Sequence, residues 1–415
     1  MTLERGGDGG LLIVAVEASA DLHGAAVLRE LRALCPSVRA FGAAGPRLRA
    51  EGCEALVRAE DLSVMGFLEV LPAIPRILRA LAALRRAAEE RRPRAALLID
   101  SPDFNLRLAR KLRARGVPVV YFIGPSVWAW RTYRVRQIAR DVLRMLVILP
   151  FEAAFYARHG VRAVYVGNPL ADELRGREAS ALPAAPAGGH PARGEAGAGG
   201  GVPESVRERR RALGLDPDRP VLALLPGSRR QEIRRLWRPL VGAARTLCER
   251  RPGLQVVVPV APTIPRALLE PLAREAGLDV AFVAGRAPEV LACADAAAVA
   301  SGTAALEAAL AQVPAVVVYR LSWLSWLIAR LLVRVRFAAL PNLLAGRSLV
   351  PELLQSECTS ERIAEEVEPL LEGGGAREAQ LAGLRALRAE LTPPGSTSAA
   401  RKAAEELLAV LEGPR

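Results

Sequence analysis

Short apolar runs alternate with stretches of helical periodicity along this chain, and the alternation runs through twice. In the first half, the runs at residues 11–16, 95–99, 119–123 and 145–149 are expected strands, and the expected helices between them include 22–34, 74–90 and 105–115. In the second half, runs at 221–225, 255–259, 280–283, 296–300 and 315–318 repeat the pattern, and helical stretches near 360–371, 376–391 and 397–411 close it. Strands that alternate with helices build parallel sheets covered on both faces. At 415 residues the chain exceeds one ordinary core, so two such sheets are expected. Residues 175–206 turn abruptly to Ala, Gly, Pro and Arg, a composition that buries too little apolar surface to order itself. The expected division is a domain at 1–174, a linker or insert at 175–206, a second domain at 207–385, and helices at 386–415 that can pack back on the first domain. The fold class is α/β, two facing doubly wound units with a cleft between them. Ligands of such sheets bind beyond the carboxyl ends of the strands, so the loops after strands are where chemistry is sought.

Composition narrows the partners. Charge interrupts the apolar stretches well before the roughly 18 residues that span a bilayer, and the run at 11–16 is too short for a signal-peptide core. The protein is therefore expected to stay in the cytoplasm. Cys35, Cys53, Cys248, Cys293 and Cys358 stand singly, without a C-x-x-C pair or a histidine cluster, and read as reduced thiols with no metal site. The formal charge of +13 comes almost entirely from arginine, since Lys111 and Lys402 are the only lysines. Such a surface attracts phosphates, acidic lipids or nucleic acid. Aromatics at 4% and the lack of basic-aromatic interleaving argue against nucleic acid.

Four strand-to-helix junctions carry residues suited to chemistry. Pro226-Gly227-Ser228-Arg229 follows the run at 221–225 and combines glycine freedom, backbone N–H groups and a guanidinium, the needs of a phosphate site; a capped turn is the alternative. Ser301-Gly302-Thr303 opens the helix carrying Glu307, whose carboxylate can accept from vicinal ribose hydroxyls, although a capped helix with a solvated Glu would look the same. Together the two junctions argue for a nucleoside diphosphate. In the first half, Asp100 ends a strand where a general base on a sugar hydroxyl would sit, whereas Asp103 reads as a helix cap. Glu17-Ala18-Ser19-Ala20-Asp21 leads into a helix through His23 and can touch an acceptor; His23 itself reads as structural. Trp128, Trp130 and Arg131 form an unusual cluster in an aromatic-poor chain, as cleft lining or as core. Asp216-Pro217-Asp218 resembles a metal-binding D-x-D but precedes a strand, and reads as a turn. The stretches at 62–81 and 321–337 combine apolar bulk with arginine, as surface-bound amphipathic segments and buried helices both do.

The stretches LSVMGFLEVL, IDSPDFNLRLARKL, PSVWAWR, ILPFEAAFYARHGV, LLPGSRRQEI, ASGTAALEAAL and LPNLLAGRSLVPELLQ, in this order, resemble the lipid-A-disaccharide synthase family over most of the chain. That resemblance implies a GT-B fold of two Rossmann-like domains, the first binding the acceptor and the second the UDP-sugar. It implies an inverting transfer from UDP-2,3-diacylglucosamine to 2,3-diacylglucosamine 1-phosphate, giving a β-1,6-linked disaccharide and UDP, at the inner membrane surface of a Gram-negative bacterium. No metal and no cofactor are implied. Carried over by position, Asp100 is the base or acceptor-orienting carboxylate, with Glu17 and Asp21 beside it in catalysis. Gly227, Ser228, Arg229, Ser301, Gly302, Thr303, Glu307 and Asn342 line the donor site, and Ser19, Met65, Phe67, Trp128, Trp130 and Arg131 meet the acceptor or the membrane. A homodimer is among the assemblies the sequence allows.

Three positions depart from the family pattern. Val16 and Ala20 replace glycines of the first loop, and Asn168 replaces the histidine of Val-Gly-His-Pro. Added β-carbons that crowd a ligand, or a lost proton carrier, would change acceptor preference or lower turnover. The competing readings are another GT-B UDP-sugar enzyme and a non-catalytic relative that binds lipid or nucleotide.

Overall fold

Strands β1 (Leu11–Val14), β2 (Ala40–Ala44), β3 (Glu54–Arg58), β4 (Ala95–Ile99), β5 (Val119–Phe122), β6 (Arg144–Val147) and β7 (Ala163–Tyr165) form one sheet in the order β3-β2-β1-β4-β5-β6-β7. Their pairings are parallel, with Val14 of β1 opposite Leu98 of β4. A second parallel sheet runs β10-β9-β8-β11-β12-β13, built from β8 (Val221–Leu225), β9 (Gln255–Val260), β10 (Val280–Ala284), β11 (Ala296–Ala300), β12 (Ala315–Tyr319) and β13 (Glu352–Leu354). The computed structural model describes residues 9–62, 70–180, 202–333, 335–393 and 395–413. Met1–Asp172 with Pro394–Arg415 form one unit, and Glu173–Pro393 the other.

In the first unit the central strands are buried on both faces, which explains why they read as continuous apolar runs. Alternate residues enter two cores. Leu12, Val14, Leu98 and Tyr121 pack with Leu84 and Leu108 of the helices Val70–Arg91 and Pro102–Arg113. Leu11, Ile13, Leu97 and Ile99 pack on the opposite face with Leu28 of the helix Ala18–Leu34 and Leu407 of the helix Ala399–Glu412. The last helix is held there by an ion pair between Arg144 of β6 and Glu406 and by a hydrogen bond from the Ala399 amide to Asp172.

Four strands went unexpected. β2 (AFGAA) is alanine- and glycine-rich and lacks the β-branched side chains that mark a strand, β3 lies at a half-exposed sheet edge, and β7 and β13 are three-residue edge strands. Helices Pro169–Ser180 and Glu204–Ala212 enter the 175–206 segment from both ends, and residues 181–201 lie outside the described residues. The second helix is fixed to the second unit by fully buried Arg210, whose guanidinium meets Asp295 at 2.7 Å and the carbonyls of Cys293, Pro217 and Arg219. The helix Gly375–Leu391 belongs wholly to the second unit, so residues 386–391 do not group with the chain end; Gln380 exchanges hydrogen bonds with the backbone of Ala315. Among the described residues no helix is long and apolar enough to cross a membrane.

Candidate functional site

In each sheet the chain winds outward in two directions, and the reversal falls between β1 and β4 in the first and between β8 and β11 in the second. Doubly wound sheets bind ligands at such a reversal. The four junctions singled out in the sequence are the loops that leave these four strands.

In the first unit, Glu17 lies at the start of the helix after β1, with Glu17 and Ser19 exposed. Asp100 follows β4 directly. The Ser101 hydroxyl donates to Glu17 Oε1 at 2.9 Å and ties the two junctions together. Asp100 and Ser101 both adopt left-handed backbone, with φ of 50° and 44°, a region that residues with a β-carbon rarely occupy. Burial, and then the charge of Glu17, push the Asp100 carboxyl above the ordinary range. Such a carboxylate is a stronger base for a hydroxyl proton.

Asp21, expected in the catalytic group, has its carboxylate engaged by backbone amides. It is 2% exposed, and its carboxylate accepts from the amides of Gly45, Arg47 and Leu48 at 2.8, 2.9 and 3.1 Å, capping the helix Pro46–Ala50. Asp103 sits in the first turn of Pro102–Arg113 and pairs with Arg134 at 2.5 Å and Arg131 at 3.5 Å; no side chain of the N-cap Ser101 caps that helix. Burial pushes the His23 pKa down. The Trp128 indole donates to Glu152 Oε1 at 3.0 Å and stands edge-on to Phe151, whereas Trp130 is 45% exposed beneath the Arg131 guanidinium, 3.9 Å from the ring centre. Met65 and Phe67 lie outside the described residues.

The departures from the family pattern cost the backbone little. Val16 and Ala20 are absent from the left-handed residues and pack into the two cores of the first sheet. Asn168 accepts from the Leu170 amide at 3.0 Å and donates to the Ile148 carbonyl at 3.3 Å, so it starts the helix Pro169–Ser180.

In the second unit, Gly227 has φ of 105°, and a β-carbon there would come 2.4 Å from Glu232 Oε2. That same oxygen accepts from the amides of Ser228 and Arg229 at 3.1 and 3.2 Å. Glu232 therefore already holds the two amides expected to bind phosphate, as the third residue of a helix commonly does. The Arg229 side chain is 82% exposed and only 3.5 Å from Glu232 in a loose ion pair. At the other junction, Gly302 has φ of 145° with open space where a β-carbon would stand, and no side chain caps the helix Thr303–Leu310. The Ser301 hydroxyl donates to the Ala338 carbonyl at 3.0 Å, Thr303 is exposed, and Glu307 is half-buried one turn on. Asn342 is fully buried: its oxygen accepts from the amides of Leu349 and Val350, and its nitrogen donates to the Val350 carbonyl and Glu352. With both ends of its amide occupied, Asn342 shapes the loop that follows the helix Leu340–Ala345.

Asp218 donates from its amide to the Asp216 carboxylate at 2.9 Å, a turn. Among the described residues no cluster of three His, Cys, Asp or Glu side chains is spaced to hold a metal ion. All five cysteines are free, and burial pushes Cys53 up to about 12 and Cys293 to about 11.

Sequence reasoning missed Glu152, 2% exposed, with its carboxyl pushed up to about 7 by burial against the hydrogen bonds from Trp128 and the Leu149 amide. The Pro150 and Glu152 spacing of a helix start was its signal. Asn105 and Tyr121, which hold the Asp100 carbonyl, carried none.

The family model for lipid-A-disaccharide synthetase matches residues 11–184 and 202–407. The chain is similar to the lipid-A-disaccharide synthase of Anaeromyxobacter dehalogenans (strain 2CP-C), 52% identical over 402 residues and 97% of both chains. It is 50% identical to that of Myxococcus xanthus (strain DK1622) over 401 residues, again 97% of both. Among solved structures it resembles a UDP-GlcNAc 2-epimerase from Neisseria meningitidis (TM-score 0.63, 11% identity, 97% of this chain and 99% of that one). It also resembles the calicheamicin glycosyltransferase CalG4 (TM-score 0.54, 19% identity, 97% and 98%).

Proposed function

The chain belongs to the lipid-A-disaccharide synthase family of glycosyltransferases, and we propose on that premise that it joins UDP-2,3-diacylglucosamine to 2,3-diacylglucosamine 1-phosphate. The observation that carries this reading is the Ser101–Glu17 hydrogen bond at the strand reversal of the first sheet, which ties an exposed acidic loop to the half-buried Asp100, whose carboxyl is raised in pKa by burial and by the charge of Glu17.

In the reaction, Asp100 takes the proton from the acceptor's 6-hydroxyl as that oxygen attacks C1 of the donor sugar. The bond from C1 to the diphosphate oxygen breaks, and its electron pair leaves with UDP. Attack opposite the leaving group inverts C1 and gives the β linkage. The exposed Arg229 guanidinium meets the charge that grows on the diphosphate, assisted by the uncapped amides of the helix Thr303–Leu310, while Glu307 accepts from the ribose hydroxyls. Because Glu232 holds the Ser228 and Arg229 amides, the Arg229 side chain carries the contact at that junction. Ser19, Trp130 and Arg131 offer polar, aromatic and cationic surface to the acceptor sugar and its phosphate.

The acyl chains require a protein that reaches its substrates at the cytoplasmic face of the inner membrane. Exposed Ile74 and Leu78 on the helix Val70–Arg91, and Trp323 (76% exposed) and Leu327 on the helix Trp323–Leu332, support peripheral attachment. Incubating the purified chain with both substrates in detergent tests the function. Disaccharide 1-phosphate and UDP in equal amounts are expected; a folded protein that yields neither across several acyl lengths would refute it.

A further inference from the structure

The backbone at Asp100 and Ser101 is held against its own preference. Two consecutive residues with β-carbons have φ of 50° and 44°, and Ile123, at the end of the neighbouring β5, has φ of 61°. Each such residue is strained and persists only where its surroundings impose it. The source of that imposition is visible. The Asn105 side chain, fully buried, donates to the Ile99 carbonyl at 3.0 Å and to the Asp100 carbonyl at 2.8 Å. The hydroxyl of buried Tyr121 donates to the same Asp100 carbonyl from β5. The Asp100 amide donates to the Phe122 carbonyl at 3.0 Å. The Asp100 peptide is thus gripped on both sides, by the first turn of the following helix and by the adjacent strand.

Asn105 Oδ1, by contrast, is buried and meets no donor. An amide side chain with one end left unpaired is an expensive way to fill core, and an apolar residue of similar size would avoid the penalty. Its two donor bonds to consecutive carbonyls account for its presence, because they pin the turn that carries the Asp100 carboxyl.

We propose that Asn105 and Tyr121 are positioning residues for the transfer reaction, forming a clamp on the Asp100 carbonyl that keeps residues 100 and 101 left-handed and the carboxyl in its working orientation. This rests on the role proposed for Asp100. Without the clamp, the pair relaxes to ordinary backbone and the carboxyl turns toward solvent. The groups that act on the carboxyl or on the clamp are Glu17 from the loop after β1, Tyr121 from β5, and Tyr156 of the helix Pro150–Ala157, Arg134 and Asp103, which act on Tyr121. A carboxyl freed from burial and from Glu17 ionises more easily, so the acid limb of the rate profile moves to lower pH.

The test compares wild type, Asn105→Ala and Tyr121→Phe, with circular dichroism to establish folding and kcat, KM and pH profiles for transfer. The clamp predicts a loss in kcat of about tenfold or more for Asn105→Ala and a smaller loss for Tyr121→Phe, with KM for both substrates changed little and the acid limb displaced downward. Tyr121→Phe keeps the ring in the core and decides the matter if Asn105→Ala does not fold. Folded variants with wild-type kcat, or with lost kcat and an unmoved acid limb, would overturn the clamp. A wild type without transfer activity would instead overturn the function proposed for the chain.

Discussion

Ser101 Oγ donates to Glu17 Oε1 at 2.9 Å, a bond between residues far apart in sequence that joins the loops leaving β1 and β4. It puts the negative charge of Glu17 beside Asp100 and makes Glu17 the second cause, after burial, of the raised Asp100 pKa.

Replacing Glu17 by Gln keeps an acceptor for Ser101 and removes that charge. Turnover falls, and in the activity that remains the acid limb of kcat/KM shifts to lower pH, because Asp100 then ionises against burial alone. A limb that stays put or moves upward would remove Glu17 from the electrostatics of the site.

Asp21→Ala should act on stability. The substitution leaves three amides at the start of the helix Pro46–Ala50 without their acceptor, two of those hydrogen bonds buried. A loss of about 2–4 kcal/mol in urea unfolding is expected. Unchanged stability with abolished kcat would return Asp21 to the catalytic group.

These two residues show where sequence stops informing. Glu17 and Asp21 belong to one short loop, and both are acidic residues just beyond a strand. The difference between them is that helix periodicity turns Asp21 inward onto the Gly45 amide, a contact with a distant segment that no local pattern encodes. The same limit applies to Asn342 and Trp128, whose polar atoms are taken up by loop amides and by Glu152. The central strands and the junctions at both reversals were legible because strands buried on two faces are written as apolar runs. Edge strands β3, β7 and β13, partly exposed and short, lack that signature.

Glu152 makes stability depend on pH. Its carboxyl is pushed from 4.5 up to about 7, so between those values the folded chain retains a proton that the unfolded chain releases. Stability therefore falls as pH rises through this window, by up to about 3 kcal/mol. Denaturant unfolding near pH 5 and near pH 8 should show the fall, and Glu152→Gln should flatten it. An equal slope in the variant would show that other groups cause it.

Arg229→Ala should weaken UDP binding about tenfold or more, the scale of a charge-assisted hydrogen bond. Because the side chain is 82% exposed, the thermal midpoint should hardly move. Calorimetric titration with UDP measures this; undiminished affinity would transfer the diphosphate contact to other groups.

The most direct measurement compares wild type with Asp100→Ala for UDP release and disaccharide formation from UDP-2,3-diacylglucosamine and 2,3-diacylglucosamine 1-phosphate, in detergent with EDTA, alongside UDP titration of both proteins. Turnover in the wild type that drops about a hundredfold or more in the variant, with UDP affinity retained, is the result predicted for a general base. Equal turnover in the two proteins would contradict the role of Asp100, and an inactive, folded wild type would contradict the transferase itself.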